Sequence, residues 1–195
     1  LAILNSGLKP NDIDLIIVAT TTSDNTFPST ASKIQKNLGC KAISFDVQAV
    51  CAGFIYAISI GVAMLKDTHG KKCLVIGADT LSRVVDVSDR DSMIFADGAG
   101  ATIIEKSDEK GGVISHNTAT FTDDEVFYLF YGKSYNPNTE QKTKYIKMRG
   151  RKVYEFALNN VPSAMKRSKP WAKSDNSCPA GCLINSTISK KFVPF

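Results

Sequence analysis

Apolar residues fall along this chain in short continuous runs, separated by segments with a helical period. Asp14-Leu-Ile-Ile-Val-Ala-Thr20 is apolar without alternation, as expected of a strand covered on both faces. A polar loop from Thr21 to Thr26 follows, then Phe27-Pro28, and Ser29 or Thr30 opens a helix of about ten residues. Residues 42–47 read as a second strand and residues 72–78 as a third. Between them, residues 51–65 are apolar on nearly every helical face, which predicts a helix buried on all sides. The opening residues Leu1 to Leu4 read as the last turns of a helix closed by Ser6-Gly7, with Pro10 beyond. A chain that begins inside a helix, on Leu and not Met, is expected to be a fragment.

Strands alternating with helices at this spacing predict an α/β architecture with a largely parallel sheet. From Gly98 the pattern changes. Residues 99–105 and 112–115 read as strands in close succession around a charged turn, 106–110. Asp97-Gly-Ala-Gly100 reads as a glycine-rich turn; with no strand before it and helix after it, it is not a phosphate-binding loop. Residues 121–141 are polar and aromatic with little period, expected as a long surface excursion. Residues 150–165 return to helix, with Val153, Phe156, Ala157 and Val161 on one face. Beyond Met165 no period is sustained, and no internal repeat is visible.

Composition narrows the class. The chain has 195 residues, 43% hydrophobic and 22% charged, which excludes a disordered tail, a collagen-like fibre or a small disulfide scaffold. No uninterrupted apolar run reaches the roughly 18 residues of a membrane span. The formal charge of +5 lies entirely in the last 30 residues: 1–165 hold 18 basic and 18 acidic side chains, and 166–195 hold six basic ones against Asp175 alone. Six cations spread over such a segment read as a solvated face, so neither nucleic acid nor membrane is expected as a partner.

Five cysteines, Cys40, Cys51, Cys73, Cys178 and Cys182, are an odd number at irregular spacing. With no signal peptide before them, a reducing cytoplasm is the expected compartment. Cys178-Pro-Ala-Gly-Cys182 is one residue too long for Cys-x-x-Cys and has no second ligand pair, so no metal is expected. Cys40 and Cys73 read as small buried side chains. Cys51 differs, because it follows a strand and a turn of small residues and opens an apolar helix. A helix N-terminus carries about half a positive charge and favours a thiolate. Ala52 and Gly53 leave room for an acyl group and for backbone N–H groups facing an oxyanion. Such a cysteine is a candidate acyl-carrying nucleophile, although most free cysteines are only small hydrophobes. The residues alone leave both readings open.

Val18-Ala-Thr-Thr-Thr22, Phe27-Pro-Ser29, Asp46-Val-Gln-Ala-Val-Cys-Ala-Gly-Phe54, Gly77-Ala-Asp79, Asp89-Arg90 and Ala96-Asp-Gly-Ala-Gly-Ala101 occur in one order. Over residues 1–165 the chain thereby resembles the β-ketoacyl-acyl-carrier-protein synthase III family of the thiolase-like superfamily. The resemblance implies an α/β thiolase-like fold with αβαβα layers: an N-terminal half over 1–110, incomplete at its start, the beginning of a C-terminal half over 111–165, and a basic tail over 166–195 outside the family. It also implies an acyltransferase that starts fatty-acid synthesis. The cysteine accepts an acyl group, usually acetyl, from coenzyme A, and condenses it with malonyl-acyl-carrier protein with loss of carbon dioxide. Coenzyme A thioester is then a substrate and no further cofactor is expected; the partners are acyl carrier protein and acetyl-CoA, and the enzyme is a homodimer. Cys51 corresponds to the acylated thiol, with its own N–H an oxyanion donor. Phe27 corresponds to a residue that reaches across the dimer to line the partner's acyl pocket, and Arg90 to one lying on the adenine of coenzyme A.

The family pattern also breaks. Its cysteine works with a His and an Asn from the C-terminal half, the His within a Pro-His-Gln-Ala-Asn-like motif soon after the helix that here ends near Met165. Only His69 and His116 are present, and neither matches. Ala96 stands where the family has Gly, and the segment between Arg90 and Phe95 is about one residue short. A shifted reading frame after Met165 would produce this abrupt loss of resemblance. The expectation is a chain that can be acylated but cannot condense; the alternative is a non-catalytic remnant, or one part of a split enzyme.

Overall fold

A computed structural model describes residues 1–108, 112–113, 115–121, 128–133 and 142–167. These fall into two units. The first comprises Leu1–Asp79 with Gly98–His116, the second Thr80–Asp97 with residues 117–167.

The first unit is built on a four-stranded sheet in the order β2-β1-β3-β4, with β1 Leu15–Ala19, β2 Ile43–Val47, β3 Lys72–Asp79 and β4 Gly98–Glu105. β1 runs parallel to both neighbours, with Leu15 opposite Ile43 and Cys73, and Ala19 opposite Val47 and Gly77. β4 closes one side antiparallel to β3. The chain leaves β1 for β2 through helix α2 (Thr30–Leu38), and returns across β1 to β3 through α3 (Gly53–Asp67). Right-handed crossovers in opposite directions put the two helices on opposite faces of the sheet.

The pleat of β1 serves both faces. Leu15, Ile17 and Ala19 join Cys73, Val75, Ala57, Ile58 and Leu65 on the α3 side. Ile16 and Val18 join Leu74 and Ala31 on the α2 side, where Ala2 and Ile3 of α1 (Ala2–Ser6) also pack. All five β1 residues are buried, so the uninterrupted apolar run follows from a strand with no solvent face. Each of its large side chains contributes roughly 1.5–3 kcal/mol.

Helix boundaries follow local chemistry. Ser29 caps α2 by accepting from the Ser32 N–H, and Gly39 ends it at φ 66°, a conformation that disfavours other residues. Gly7 ends α1 in the same way.

The long apolar helix differs from expectation. A 3-10 turn, Val50–Ala52, precedes α3, and only Gly53, Ala57, Ile58, Gly61 and Leu65 are buried. Burial on all sides is therefore corrected to one stripe at a spacing of about four, because only one face meets the sheet. Small residues in that stripe bring the helix close: a Cβ on Gly61 would lie 3.1 Å from Cys73 Sγ. Residues Val50–Asp67, at mean hydropathy 1.6 over 18 residues, are long and apolar enough to cross a membrane by length and composition alone. A core helix passes the same test, and the apolar run itself is broken by Gly53, Ser59 and Gly61. In the fold this helix packs on β1 and β3.

Two further expectations change. Asp97-Gly-Ala-Gly100 is not a turn, because Gly98 begins β4 opposite Asp79. The described residues at 112, 113 and 115 form no strand.

In the second unit, part of the expected surface excursion is ordered as β5 (Leu129–Lys133), paired antiparallel with β6 (Lys142–Met148). The remainder of that excursion, residues 122–127 and 134–141, lies outside the described residues, as does the basic tail from 168. A bulge near Gly132, at φ 105°, interrupts the β5–β6 ladder. Helix α4 (Gly150–Arg167) contains Pro162 and buries no residue; Phe156 contacts Phe121 edge-on at 6.1 Å.

Candidate active site

The carboxyl ends of β1, β2 and β3 lie together, and the connections leaving β1 and β2 diverge to opposite faces. In parallel sheets this is where ligands bind. Cys51 sits just past the end of β2, in the 3-10 turn leading into α3, and is exposed. Cys40 and Cys73 are buried, and burial pushes the Cys73 thiol up to about 12. Of these three thiols, only Cys51 is open to a reagent.

The turn holding Cys51 is under strain. Val50 adopts φ 47°, the left-handed region that a β-branched residue disfavours. Ala52 and Gly53 N–H donate to the Ala49 and Val50 carbonyls, so these two donors are used within the turn. The Cys51 N–H closes no such bond, which suits it to a developing oxyanion. Gly53 is required for packing: a Cβ there would lie 3.2 Å from Ala19 Cβ, at the end of β1. The sequence suggested space for an acyl group at Gly53; the space is filled by the sheet.

The loop between β1 and α2 is tied at several points. Asp79 Oδ1, at the end of β3, accepts from the Thr21 N–H and Oγ1 at 2.8 and 2.9 Å. It also accepts from the Thr22 N–H and Oγ1 at 3.1 and 3.0 Å and from Thr20 Oγ1 at 3.3 Å. Lys33 Nζ donates to Asn25 Oδ1 at 2.6 Å and pairs with Asp24 at 3.4 Å. Asp46, on β2, accepts from the Thr30 and Ala31 N–H groups at 2.7 and 2.8 Å, holding the start of α2. From this tethered loop Phe27 stands 84% exposed. Asp46 and Asp79 had appeared in the sequence only as members of motifs. The signal available there was an acid near the carboxyl end of two apolar strands.

His69 follows the carboxyl end of α3, whereas Cys51 precedes its start; fifteen helical residues put roughly 22 Å between the two ends. His116 is exposed. Arg90, in the second unit, is exposed at the start of the 3-10 turn Arg90–Ile94. Asp89 caps that turn by accepting from the Asp91 N–H, and pairs with Lys147 at 3.5 Å. In the same unit Ser82 donates from its N–H and Oγ to Asp97, holding that carboxyl below its usual range; Ser88, helped by Lys147, does the same for Asp86. Among the described residues no group of three or more His, Cys, Asp or Glu could hold a metal.

Residues 45–121, from the strand before Cys51 onward, match the family model of 3-oxoacyl-[acyl-carrier-protein (ACP)] synthase III. A β-ketoacyl-[acyl-carrier-protein] synthase III of Erythrobacter litoralis is 42% identical over 167 residues, 83% of this chain and 51% of its own length. That of Bartonella henselae is 40% identical over 181 residues, 90% of this chain and 56% of its own. Over the length it shares with them, the chain is similar to the synthase III family. Its fold is thiolase-like. The crystal structure of the Aquifex aeolicus 3-oxoacyl-[acyl-carrier-protein] synthase III aligns with TM-score 0.74 and 34% identity over 86% of this chain and 52% of that one. The Pseudomonas aeruginosa enzyme aligns with TM-score 0.72 and 26% identity over 86% and 51%. The chain spans about half the length of the curated relatives it matches.

Proposed function

We propose that this chain carries the acyl-accepting part of synthase III chemistry, within the initiation of fatty-acid synthesis in the cytoplasm. The observation that carries the reading is the exposed Cys51 at the entrance to α3, with its own N–H uncommitted. Its thiolate attacks the carbonyl carbon of an acyl-coenzyme A, acetyl in the simplest case. The tetrahedral oxyanion gathers on the Cys51 N–H, the coenzyme A thiolate departs and is protonated, and a thioester remains on Cys51. Arg90 offers a planar cation for the adenine of coenzyme A. Phe27, exposed from its loop, suits a wall of an acyl pocket in a homodimer.

In the complete reaction the malonyl group on acyl carrier protein loses carbon dioxide, and the resulting enolate carbon attacks the Cys51 thioester. That releases the thiolate and a 3-oxoacyl carrier protein. The resemblance assigns this step to a His and an Asn; His69, at the far end of α3, is out of reach of Cys51. The described residues therefore support arrest at the acyl-cysteine.

Incubation with labelled acetyl-CoA and malonyl-acyl-carrier protein tests both parts. Label on the Cys51 peptide, lost in Cys51→Ala, is the expected result. Formation of 3-oxoacyl carrier protein would overturn the arrest, and absence of label would favour a non-catalytic chain.

A further inference from the structure

The first turn of α3 rests on a row of small residues. Ala19 on β1, Gly77 on β3 and Gly100 on β4 are register partners, so all three lie on the sheet face that meets α3. Gly53, the first residue of α3, sits over Ala19. Phe54, the second, sits over Gly77: a Cβ at residue 77 would lie 3.1 Å from Phe54 Cδ2 and 3.6 Å from its Cβ and Cγ. A Cβ at residue 100 would meet nothing within 4 Å, so the row falls away beyond the ring. Val50, Cys51 and Ala52 are exposed, and Gly53 has no side chain. Phe54, packed on the apolar cluster beneath α3, is therefore the first side chain after Cys51 that holds this turn to the sheet.

We propose that Phe54 is a positioning residue for acyl transfer: its ring, seated on Gly77, fixes the first turn of α3 and so aims the Cys51 N–H at the oxyanion formed when Sγ attacks. This role rests on the acyl-accepting function proposed above. Phe54 carries no group that bonds in the reaction; it acts through the backbone of the turn. Ala52 and Gly53 spend their N–H groups inside that turn, so the direction of the remaining donor follows the turn as a whole. An oxyanion donor stabilises the transition state only when aligned with the developing charge. Alkylation by iodoacetamide needs the exposed sulfur and no such donor. Displacement of the turn therefore separates two reactions of one thiol.

The test uses the full chain as wild type, Phe54→Ala, Phe54→Leu, Gly77→Ala and the Gly77→Ala/Phe54→Leu double variant, each checked for folding by circular dichroism. Single-turnover labelling of Cys51 is followed by mass spectrometry over a range of acetyl-CoA concentrations, beside alkylation by iodoacetamide. Phe54→Ala is expected to lower the maximal acylation rate by about tenfold. The half-saturating acetyl-CoA concentration and the alkylation rate should each change by less than about twofold, since neither depends on the oxyanion donor. Phe54→Leu, which keeps an apolar anchor, should recover part of the rate. Gly77→Ala pushes the ring toward the open space over Gly100 and should slow acylation in the same way by less. In the Phe54→Leu background it should cost nothing further, because the ring it displaces is gone. Should Phe54→Ala fail to fold, the other three variants decide. An unchanged maximal rate, a parallel fall in alkylation, or an additive loss in the double variant overturns the positioning role. Failure of acetyl-CoA to label wild-type Cys51, while iodoacetamide still does, overturns the function itself and the inference with it.

Discussion

Ala19, the last residue of β1, and Gly53, the first of α3, meet so closely that a methyl on Gly53 would lie 3.2 Å from Ala19 Cβ. Ala19 belongs to a buried strand paired on both sides and has no rotamer to yield. A larger side chain must therefore lift the start of α3, and with it the Cys51 turn. Gly53→Val is expected to cost about 1–3 kcal/mol in urea unfolding and to reduce acylation of Cys51. Unchanged values of both would show that the contact is not limiting.

Val50 holds φ 47° while its side chain is 51% exposed, so it is strained with little burial in return. Val50→Gly should leave stability unchanged or raise it by up to about 1 kcal/mol, the relief of strain outweighing the freedom glycine adds to the unfolded chain. A melting temperature lowered by more than a few degrees contradicts this.

Asp46 replaces water at two N–H groups that open α2. Removing it in Asp46→Ala leaves both donors without their charged acceptor, at a cost of about 2 kcal/mol. Loss of helix signal or earlier denaturation measures it; Asp46→Asn, which keeps an acceptor of the same shape, should recover part of the loss.

Cys73 supplies a pH dependence. Its thiol in the fold is pushed from 9.0 to about 12 by burial, so between these values the unfolded chain has lost a proton that the folded chain keeps. Its contribution is fully present below about pH 9 and declines by about 1.4 kcal/mol per pH unit up to about 12. The stability difference between wild type and Cys73→Ala, followed from pH 8 to 11, should shrink with that slope. A constant difference would refute it.

Exposure orders the thiols by reactivity. Iodoacetamide at neutral pH should modify Cys51 in the native protein and spare Cys40 and Cys73, which react only after denaturation. Peptide mapping before and after denaturant checks this.

Much of this architecture was legible as hydrophobic pattern. The uninterrupted run at 15–19 announced a strand with two covered faces, and Ser29 marked the start of α2. Cys51 stood out because chemistry and position coincided there. Other features depend on partners distant in sequence. Nothing local to Gly53 reveals that it faces Ala19, nor does Asp79 by itself indicate three threonines 57–59 residues earlier. The half-exposed outer face of α3 was hidden by its composition, since apolar residues cover more of the helix than the sheet can contact. β5 was missed because Leu129–Lys133 carries Gly132 at a bulge and no clear alternation.

The sheet order separates what can vary from what cannot. Because β1 is enclosed on both faces and along both edges, any change there propagates into two packed layers at once. The segments 20–29 and 48–52 lie beyond its end, where Asp79 and Asp46 hold the two ends of the first and Gly53 packs the turn after the second against Ala19. Substitutions in these two short stretches can therefore alter the site, while substitutions in the strands beneath them disturb the core. In this layout the capacity for new specificity is inherited from the rigidity of a five-residue strand.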